Sequence, residues 1–426
     1  MLDDVLRAAR AATDQAPPVG DPAYRRFVGT LGEVVEGNWD RIEEANARDV
    51  AAGRRRGLPE PLLRRIHFTA AQRPRVTALT TAVADELDRG LPAGREYEGI
   101  GGALARRVRR PLGVLLMIYE ARPTVTLDGA VLPICAGNAV LLRGGTEIAE
   151  TNAVLGELLT RALTEAGLPG ALAQVLAGVD RAGLRELLRR DDAVDVLLPR
   201  GGPSLVDWCR ATSRIPMIVG GGGVNHQYVH ADADPDLAVR LVLDGKLPEP
   251  EGCTALEMAL LHDAVADRFL RTLAKHADAP DVRALTLRVD DAIAGRVPPE
   301  LTEALTVEPL TEADDGREFL GPTLAVRAVA GLDAAVEHVA RYGTGHTEGI
   351  VTGSPRVADE YCRRVDAAAV VVNGSVRLHD GPSLGIGTEI AISTGRLHVR
   401  GPVTLSDLTT SSWRVEGNGA VRFRTP

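Results

Sequence analysis

Two doubly wound α/β domains behind a helical N-terminal segment, closed by a short β-ribbon, are the architecture this chain predicts. Three observations carry that expectation. The chain has 426 residues, too many for one ordinary core. Short apolar runs of strand type alternate with helical stretches, first from about residue 113 and again from about residue 229, as in mostly parallel sheets. The tail, Leu405–Phe423, reads as one or two short strands with a Gly417-Asn-Gly turn.

Residues 1 to about 100 read as helices, with apolar positions recurring through Phe27, Leu31, Val34 and Val35, and again through Val76, Leu79, Val83 and Leu87. Gly57-Leu58-Pro59 and Gly90-Leu91-Pro92 punctuate them. Strand patterns follow at Gly113–Tyr119, Ala139–Arg143, Ala173–Ala177, Val194–Leu198 and Pro216–Val219. Helical stretches such as Glu147–Ala166 and Arg181–Arg189 lie between them. A second series of strands runs through Ala259–His262, Leu324–Arg327, Gly349–Thr352 and Ala369–Val372. The expected domains are therefore 1–228, 229–383 and 384–426, the last returning to the first domain before the ribbon. A terminal ribbon of this kind often joins a neighbouring subunit's sheet, because open strand edges need covering.

Bulk composition narrows the class. Hydrophobic residues make up 45% and charged residues 25% of the chain, globular averages that argue against long disorder. A net charge of −9 gives no electrostatic reason to expect nucleic-acid binding, and the runs Arg54–Arg56 and Arg106–Arg110 are of solvated-face type. Cys135, Cys209, Cys253 and Cys362 are widely spaced, with no CxxC or Cys/His cluster. Neither a metal site nor a disulfide framework is expected, and a reducing compartment fits. The opening Met-Leu-Asp-Asp-Val-Leu-Arg has no signal-peptide pattern, and no stretch approaches the ~18 apolar residues of a membrane span. A soluble, cytoplasmic protein without membrane or nucleic-acid partners is the expectation.

Chemistry concentrates in the segment 244–259. Cys253 follows a Gly/Pro-rich loop and precedes an apolar pattern of helical type; a thiol at a helix N-terminus is biased toward the nucleophilic thiolate. Only two of the 49 basic residues are lysines, and Lys246 lies in this loop. Cys135, Cys209 and Cys362 sit in contexts that suit buried apolar thiols. His226, His346 and His398 are the histidines considered as partners for Cys253. The turns Arg143-Gly-Gly-Thr-Glu147 and Pro199-Arg-Gly-Gly-Pro-Ser204 each follow a strand and open a helix, where N–H groups can hold a phosphate. Neither is a GxGxxG fingerprint, and the first alone suits an ordinary strand-to-helix turn equally well, but the repeat of the design one strand pair later favours a nucleotide site. Gly220–Gly223, ahead of Val224-Asn-His226, suits a hinge or a close ligand approach, the hinge being preferred. The glycine-rich loops Gly343–Gly349 and Gly385–Glu389 suit the lining of a cleft or tight turns.

Taken together these segments resemble the gamma-glutamyl phosphate reductase (glutamate-5-semialdehyde dehydrogenase) family of the aldehyde dehydrogenase superfamily. The carrying motifs are Pro111-Leu-Gly-Val with Ile118-Tyr-Glu-Ala-Arg-Pro123, Gly137-Asn-Ala-Val-Leu-Leu-Arg-Gly-Gly145 and Leu198-Pro-Arg-Gly-Gly202. Then come Arg341-Tyr-Gly-Thr-Gly-His-Thr-Glu348, Val372-Asn373, Gly387-Thr-Glu-Ile-Ala-Ile-Ser-Thr394 and Leu397-His-Val-Arg-Gly-Pro402, in the family's order from about residue 40 onward. The resemblance implies an aldehyde dehydrogenase-like fold with a β-hairpin oligomerisation arm, a homodimer or dimer of dimers, and NADPH (or NADH) as hydride donor to an activated carboxylic acid. It implies Cys253 as nucleophile with Lys246 beside it. Arg143, Gly144, Gly145, Arg200, Gly201 and Gly202 would face the cofactor, and Glu318 would hold its ribose. Glu120, Arg122, Asn225, His346 and Glu389 are expected to line the substrate site.

The chain also departs from the family. Gly220–Gly223 stands where a His-Leu-Asp-Gly-like stretch is usual, and Asp244-Gly-Lys246-Leu-Pro-Glu249-Pro250 replaces an Asn-x-Lys-Thr-x-Arg-Pro pattern. An acid thus occupies an arginine's place, and Glu251 adds a second. At ~4 Å and an effective dielectric near 20, each like-charge contact with an anionic substrate costs about 4 kcal/mol. The expected activity is NADPH-dependent reduction of an acyl phosphate through a Cys253 thioester, on gamma-glutamyl phosphate or, in a specialised paralogue, a less anionic donor. The alternatives are a reductase of CoA- or carrier-protein-bound thioesters and a catalytically silent scaffold or regulatory partner.

Overall fold

The computed structural model describes residues 2–91 and 95–422; Pro92 and Phe423 of the sequence expectations lie outside them. Packing divides the chain into two compact units, Met1–Val219 with Ile386–Ala391 and Val403–Pro426, and Gly220–Gly385 with Ile392–Pro402. The first passage therefore falls at the glycine run, where the sequence pattern suggests 228/229. The reason is a strand that the pattern hides, Asn225–Val229, which belongs to the second unit's sheet.

In the first unit five helices precede the sheets: α1 (Leu2–Gln15), α2 (Pro22–Glu36), α3 (Trp39–Arg55), α4 (Glu60–Ile66) and α5 (Arg73–Arg89). Helix α2 starts where Asp21 accepts the Ala23 N–H at 2.8 Å, and it buries one stripe, Phe27, Leu31, Val34 and Val35. Two strands, β1 (Glu96–Glu98) and β2 (Leu104–Pro111), form an antiparallel pair, so the arginine run lies on a strand. The parallel sheet comes next, from β3 (Val114–Tyr119), β4 (Ala139–Arg143), β5 (Ala173–Val175) and β6 (Val196–Arg200) in the order β5-β4-β3-β6. Every residue of β3 is buried, as expected of a strand covered on both faces. Helices α6 (Thr124–Cys135), α7 (Ala149–Glu165), α8 (Arg181–Leu187) and α9 (Pro203–Thr212) connect or follow the strands. Pro216–Val219 is not a strand: it runs beside β6 with a single bridge, Leu197 to Met217.

The second unit holds a parallel sheet of β7 (Asn225–Val229), β8 (Leu256–His262), β9 (Thr286–Val289), β10 (Thr306–Pro309), β11 (Thr323–Val329), β12 (Thr347–Val351) and β13 (Ala369–Val372). Its order is β10-β9-β11-β8-β7-β12-β13. Helices α10 (Pro235–Lys246) and α11 (Asp263–Ala274) pack on it through Val239, Val242, Phe269 and Leu270, all buried in one apolar cluster with Leu256 and Leu261. Three strands end the chain: β14 (Glu389–Ser393) pairs with β15 (Gly401–Thr404), and β16 (Thr409–Glu416) runs antiparallel to β2. The tail thus completes a sheet within its own chain. No helix among the described residues is long and apolar enough to cross a membrane.

Candidate active site

Cys253 is exposed, in a tight turn between α10 and β8. The apolar residues after the thiol form strand β8, not the helix that their pattern suggests, so a helix N-terminus does not activate it. The turn is drawn by two backbone bonds, Gly252 N–H to the Glu249 carbonyl (3.0 Å) and Ala255 N–H to the Gly252 carbonyl (2.9 Å). Asn225, at the start of β7, holds it from beneath. Its side-chain amide donates to the carbonyls of Cys253 and Ala255, both at 2.8 Å, and its oxygen accepts the Thr347 N–H at 3.1 Å. Fully buried and with both amide hydrogens taken, Asn225 positions the turn and does not line a substrate site.

The glycine run is a contact surface rather than a plain hinge. A Cβ at Gly223 would overlap the Cys253 carbonyl oxygen, and one at Gly221 would lie 2.7 Å from Thr394. The Gly223 N–H donates to Glu318 Oε1 at 3.0 Å, and a Cβ at Gly222 would come within 3.0 Å of Glu318 Oε2. Backbone and carboxylate therefore meet beside the thiol turn, at a separation only glycine permits.

Lys246 is not a loop residue facing the thiol. It ends α10, its side chain is 0% exposed, and its Nζ donates to Glu257 Oε2 at 2.8 Å. The same oxygen accepts the Phe319 N–H at 3.2 Å. Because Glu257 is the second residue of β8, this ion pair closes the base of the loop that carries Cys253. Burial pushes the Glu257 carboxyl up to about 7, with Lys246 opposing it, and burial pulls Lys246 below the usual lysine value. The lysine therefore positions the loop.

In the first unit, the expected cofactor turns and Glu120 gather at the carboxyl edge of the parallel sheet. Tyr119 of β3 is in register with Arg200 of β6, and Ile118 with Arg143 of β4. The chain winds from β3 toward β4 and β5 on one side and reaches β6 on the other, so this edge is a topological switch point, where α/β sheets bind ligands. The Gly202 N–H donates to Glu120 Oε2 at 3.1 Å, and the Ala121 N–H to Glu147 Oε1 at 2.9 Å. A Cβ at Gly144 would strike Asn152 and the Tyr119 ring, and one at Gly201 would lie 2.6 Å from Glu120 Oε2. Asn152 cannot move aside easily, since its oxygen accepts the Thr126 hydroxyl at 2.6 Å. Asp49 of α3 accepts the N–H groups of Glu150 and Thr151, at 3.1 and 2.8 Å, and so caps α7 just beyond the turn. Arg143 is half-buried and reaches the Val179 carbonyl at 3.4 Å.

The remaining expected site residues are scattered. Arg122 is exposed beside Glu120, and Glu389 opens β14, half-buried, in the first unit. His346 is fully buried, bonded to Thr347 Oγ1 at 2.7 Å, and burial pushes its pKa down to about 3, so it lines no open site. His226 is likewise buried, 3.0 Å from Glu348 Oε2, which takes it out of any pairing with the thiol.

The chain is similar to known proteins along nearly its whole length. Residues 63–290 match the aldehyde dehydrogenase family model. Gamma-glutamyl phosphate reductase of Roseiflexus castenholzii is 43% identical over 390 residues, covering 91% of this chain and 90% of that protein. The enzyme of Sorangium cellulosum is 42% identical over 431 residues, covering 99% and 98%. The chain belongs to the gamma-glutamyl phosphate reductase branch of the aldehyde dehydrogenase family. The crystal structure of the Thermotoga maritima gamma-glutamyl phosphate reductase superimposes with a TM-score of 0.89 at 31% identity, covering 99% of this chain and 100% of that one.

As a member of that branch, the chain is an oxidoreductase, and its unusual acid at position 249 can be judged against structure. Glu249 Oε2 is 2.6 Å from Arg377 Nη2. Its charge is therefore already met by a guanidinium, and the full substrate repulsion that its sequence position suggests does not arise. Glu257 and Arg377 are the site residues that sequence patterns miss. For Glu257 the signal was present, a lysine kept in an arginine-rich chain; for Arg377 there was none.

Proposed function

We propose that this chain reduces gamma-glutamyl phosphate to the semialdehyde with NADPH, through a thioester on Cys253. The observation that carries the reading is an exposed thiol on a turn fixed from several sides, in a chain about two-fifths identical to reductases of that name along nearly its whole length. Cys253 attacks the acyl carbon, the phosphate leaves, and the turn holds the resulting thioester in place. Transition-state charge on the acyl oxygen is assigned to the Cys253 backbone N–H, in a turn whose Cys253 carbonyl is held by Asn225. A nicotinamide cofactor, when bound, supplies the hydride that reduces the thioester. Collapse of the hemithioacetal then releases aldehyde and restores the thiol.

The first unit's residues fit such a cofactor. Gly144 and Gly201 leave cradles that a Cβ would fill, at the switch point of a parallel sheet. Arg143, Gly144, Gly145, Arg200, Gly201 and Gly202 would hold its phosphates. The chain is further assigned to the cytoplasm, and separately to a homodimer, the latter supported by the exposed Trp413, Val415, Tyr97 and Leu104 on the strands β1, β2 and β16.

The test offers the purified chain acyl phosphates and acyl thioesters and follows NADPH oxidation, with Cys253→Ala as control. Turnover of gamma-glutamyl phosphate that the alanine variant loses supports the reading. Turnover of thioesters alone, or a fully active alanine variant, defeats it.

A further inference from the structure

Resting on that reading, we propose that Arg377 is the anion-recognising residue beside the Cys253 turn, and that Glu249 is a built-in carboxylate occupying it until the acyl phosphate arrives. Three observations converge. The guanidinium lies against the residue before the thiol: a Cβ at Gly252 would sit 2.6 Å from Arg377 Nη1. It grips the same turn twice, through Nη2 to Glu249 Oε2 at 2.6 Å and Nη1 to the Glu249 carbonyl at 3.4 Å. The two partners are also unequal. Arg377 is 19% exposed and Glu249 71%, so the fold holds the arginine while the carboxylate is free to swing into water.

The arginine's own anchoring agrees with this. It sits in the 3₁₀ turn Val376–Leu378, where Ser375 Oγ accepts its backbone N–H at 3.3 Å and Val376 is fully buried. A guanidinium presents a planar fork that takes a carboxylate or a phosphoryl group in the same geometry. Glu249 therefore mimics the group that must dock there. The exchange costs little, because the pair's exposed carboxylate is hydrated and its attraction screened by water. In this arrangement the family's arginine at position 249 becomes an acid without loss of positive charge at the turn, since Arg377 supplies it from another element.

The experiment measures how inorganic phosphate slows alkylation of Cys253 by iodoacetamide in the full-length protein, a readout independent of turnover. Wild type, Glu249→Gln, Arg377→Lys and Arg377→Met are compared, each first shown to melt cooperatively. Glu249→Gln is expected to be protected at about fivefold lower phosphate, Arg377→Lys at higher phosphate, and Arg377→Met hardly at all. With gamma-glutamyl phosphate as substrate, KM should move in the same order, more than kcat. Equal protection of Glu249→Gln and wild type, or undiminished protection of Arg377→Met, overturns the proposal. Should Arg377→Met not fold, the Arg377→Lys and Glu249→Gln pair decides alone. The proposed function fails differently: Cys253 would then label no faster than the buried Cys209.

Discussion

Replacing Lys246 with methionine leaves the Glu257 carboxyl without its partner in a site where neither side chain exceeds 2% exposure. Breaking a buried pair from one side costs about 3–5 kcal/mol, because the remaining charge is uncompensated. At roughly 2–4 °C per kcal/mol for a unit of this size, the second unit should melt on the order of 6–20 °C lower. The loss has a pH signature. Glu257, already raised from 4.5 to about 7, keeps a proton that the unfolded chain releases, so its contribution to stability is full below about pH 4.5 and is lost as pH rises to about 7. Without Lys246 the carboxyl rises further, so the gap between wild type and variant should widen from pH 6 to pH 9. The double variant Lys246→Met with Glu257→Gln removes both charges and keeps an acceptor for the Phe319 N–H. It should recover most of the melting temperature. Thermal melts across pH, with turnover measured on the same samples, check this. A single variant as stable as wild type, or a double no better than the single, would show that the pair does not close the thiol loop. A double variant that is stable yet wholly inactive would return Lys246 to a chemical role.

Three further outcomes rest on individual contacts at the two sites. Gly223→Ala should cut turnover at least tenfold and lower the melting temperature, because its methyl would overlap the Cys253 carbonyl oxygen, whereas Gly202→Ala, which meets nothing within 4 Å, should melt as wild type. Asn225→Leu removes the acceptor and donors of two buried bonds and one part-buried bond, and at about 1–3 kcal/mol for each buried group left unsatisfied it should slow Cys253 alkylation and turnover together. Gly144→Ala should raise the dissociation constant for NADPH, read by fluorescence titration, at least tenfold while leaving Cys253 alkylation unchanged, since its methyl would meet Tyr119 and the tethered Asn152.

Much of this fold is visible in the sequence where burial is uniform. Val114–Tyr119 and Ala139–Arg143 are apolar almost throughout and lie inside their sheet. Asn225–Val229 escapes because three of its five residues are polar yet fully buried: Asn225 carries the thiol turn, His226 meets Glu348, and Gln227 packs at Gly349. The helix that seems to succeed Cys253 illustrates a different failure. A short, mostly apolar run such as Leu256–Leu261, broken only by Glu257, satisfies either period, and only its parallel neighbours β7 and β11 make it a strand. The thiol itself stands out from local chemistry, a cysteine in a polar turn. Its supports do not, because Arg377 and Asn225 reach it through tertiary folding and leave no trace in nearby spacing.

The pairing of β16 with β2 has a bearing on how the chain comes into being. The edge of β2 meets its partner only when Thr409 has emerged, about 300 residues after Pro111. At roughly 5–20 residues per second of synthesis, that edge waits on the order of 15–60 s with its backbone groups unpaired. Arg106, Arg107, Arg109 and Arg110 then act as gatekeepers on the nascent polypeptide, their mutual repulsion keeping the unfinished ribbon from zipping onto another molecule. Once the C-terminus arrives, Arg107 settles over the Trp413 ring at 5.7 Å, and a charge that guarded the edge becomes part of its seal.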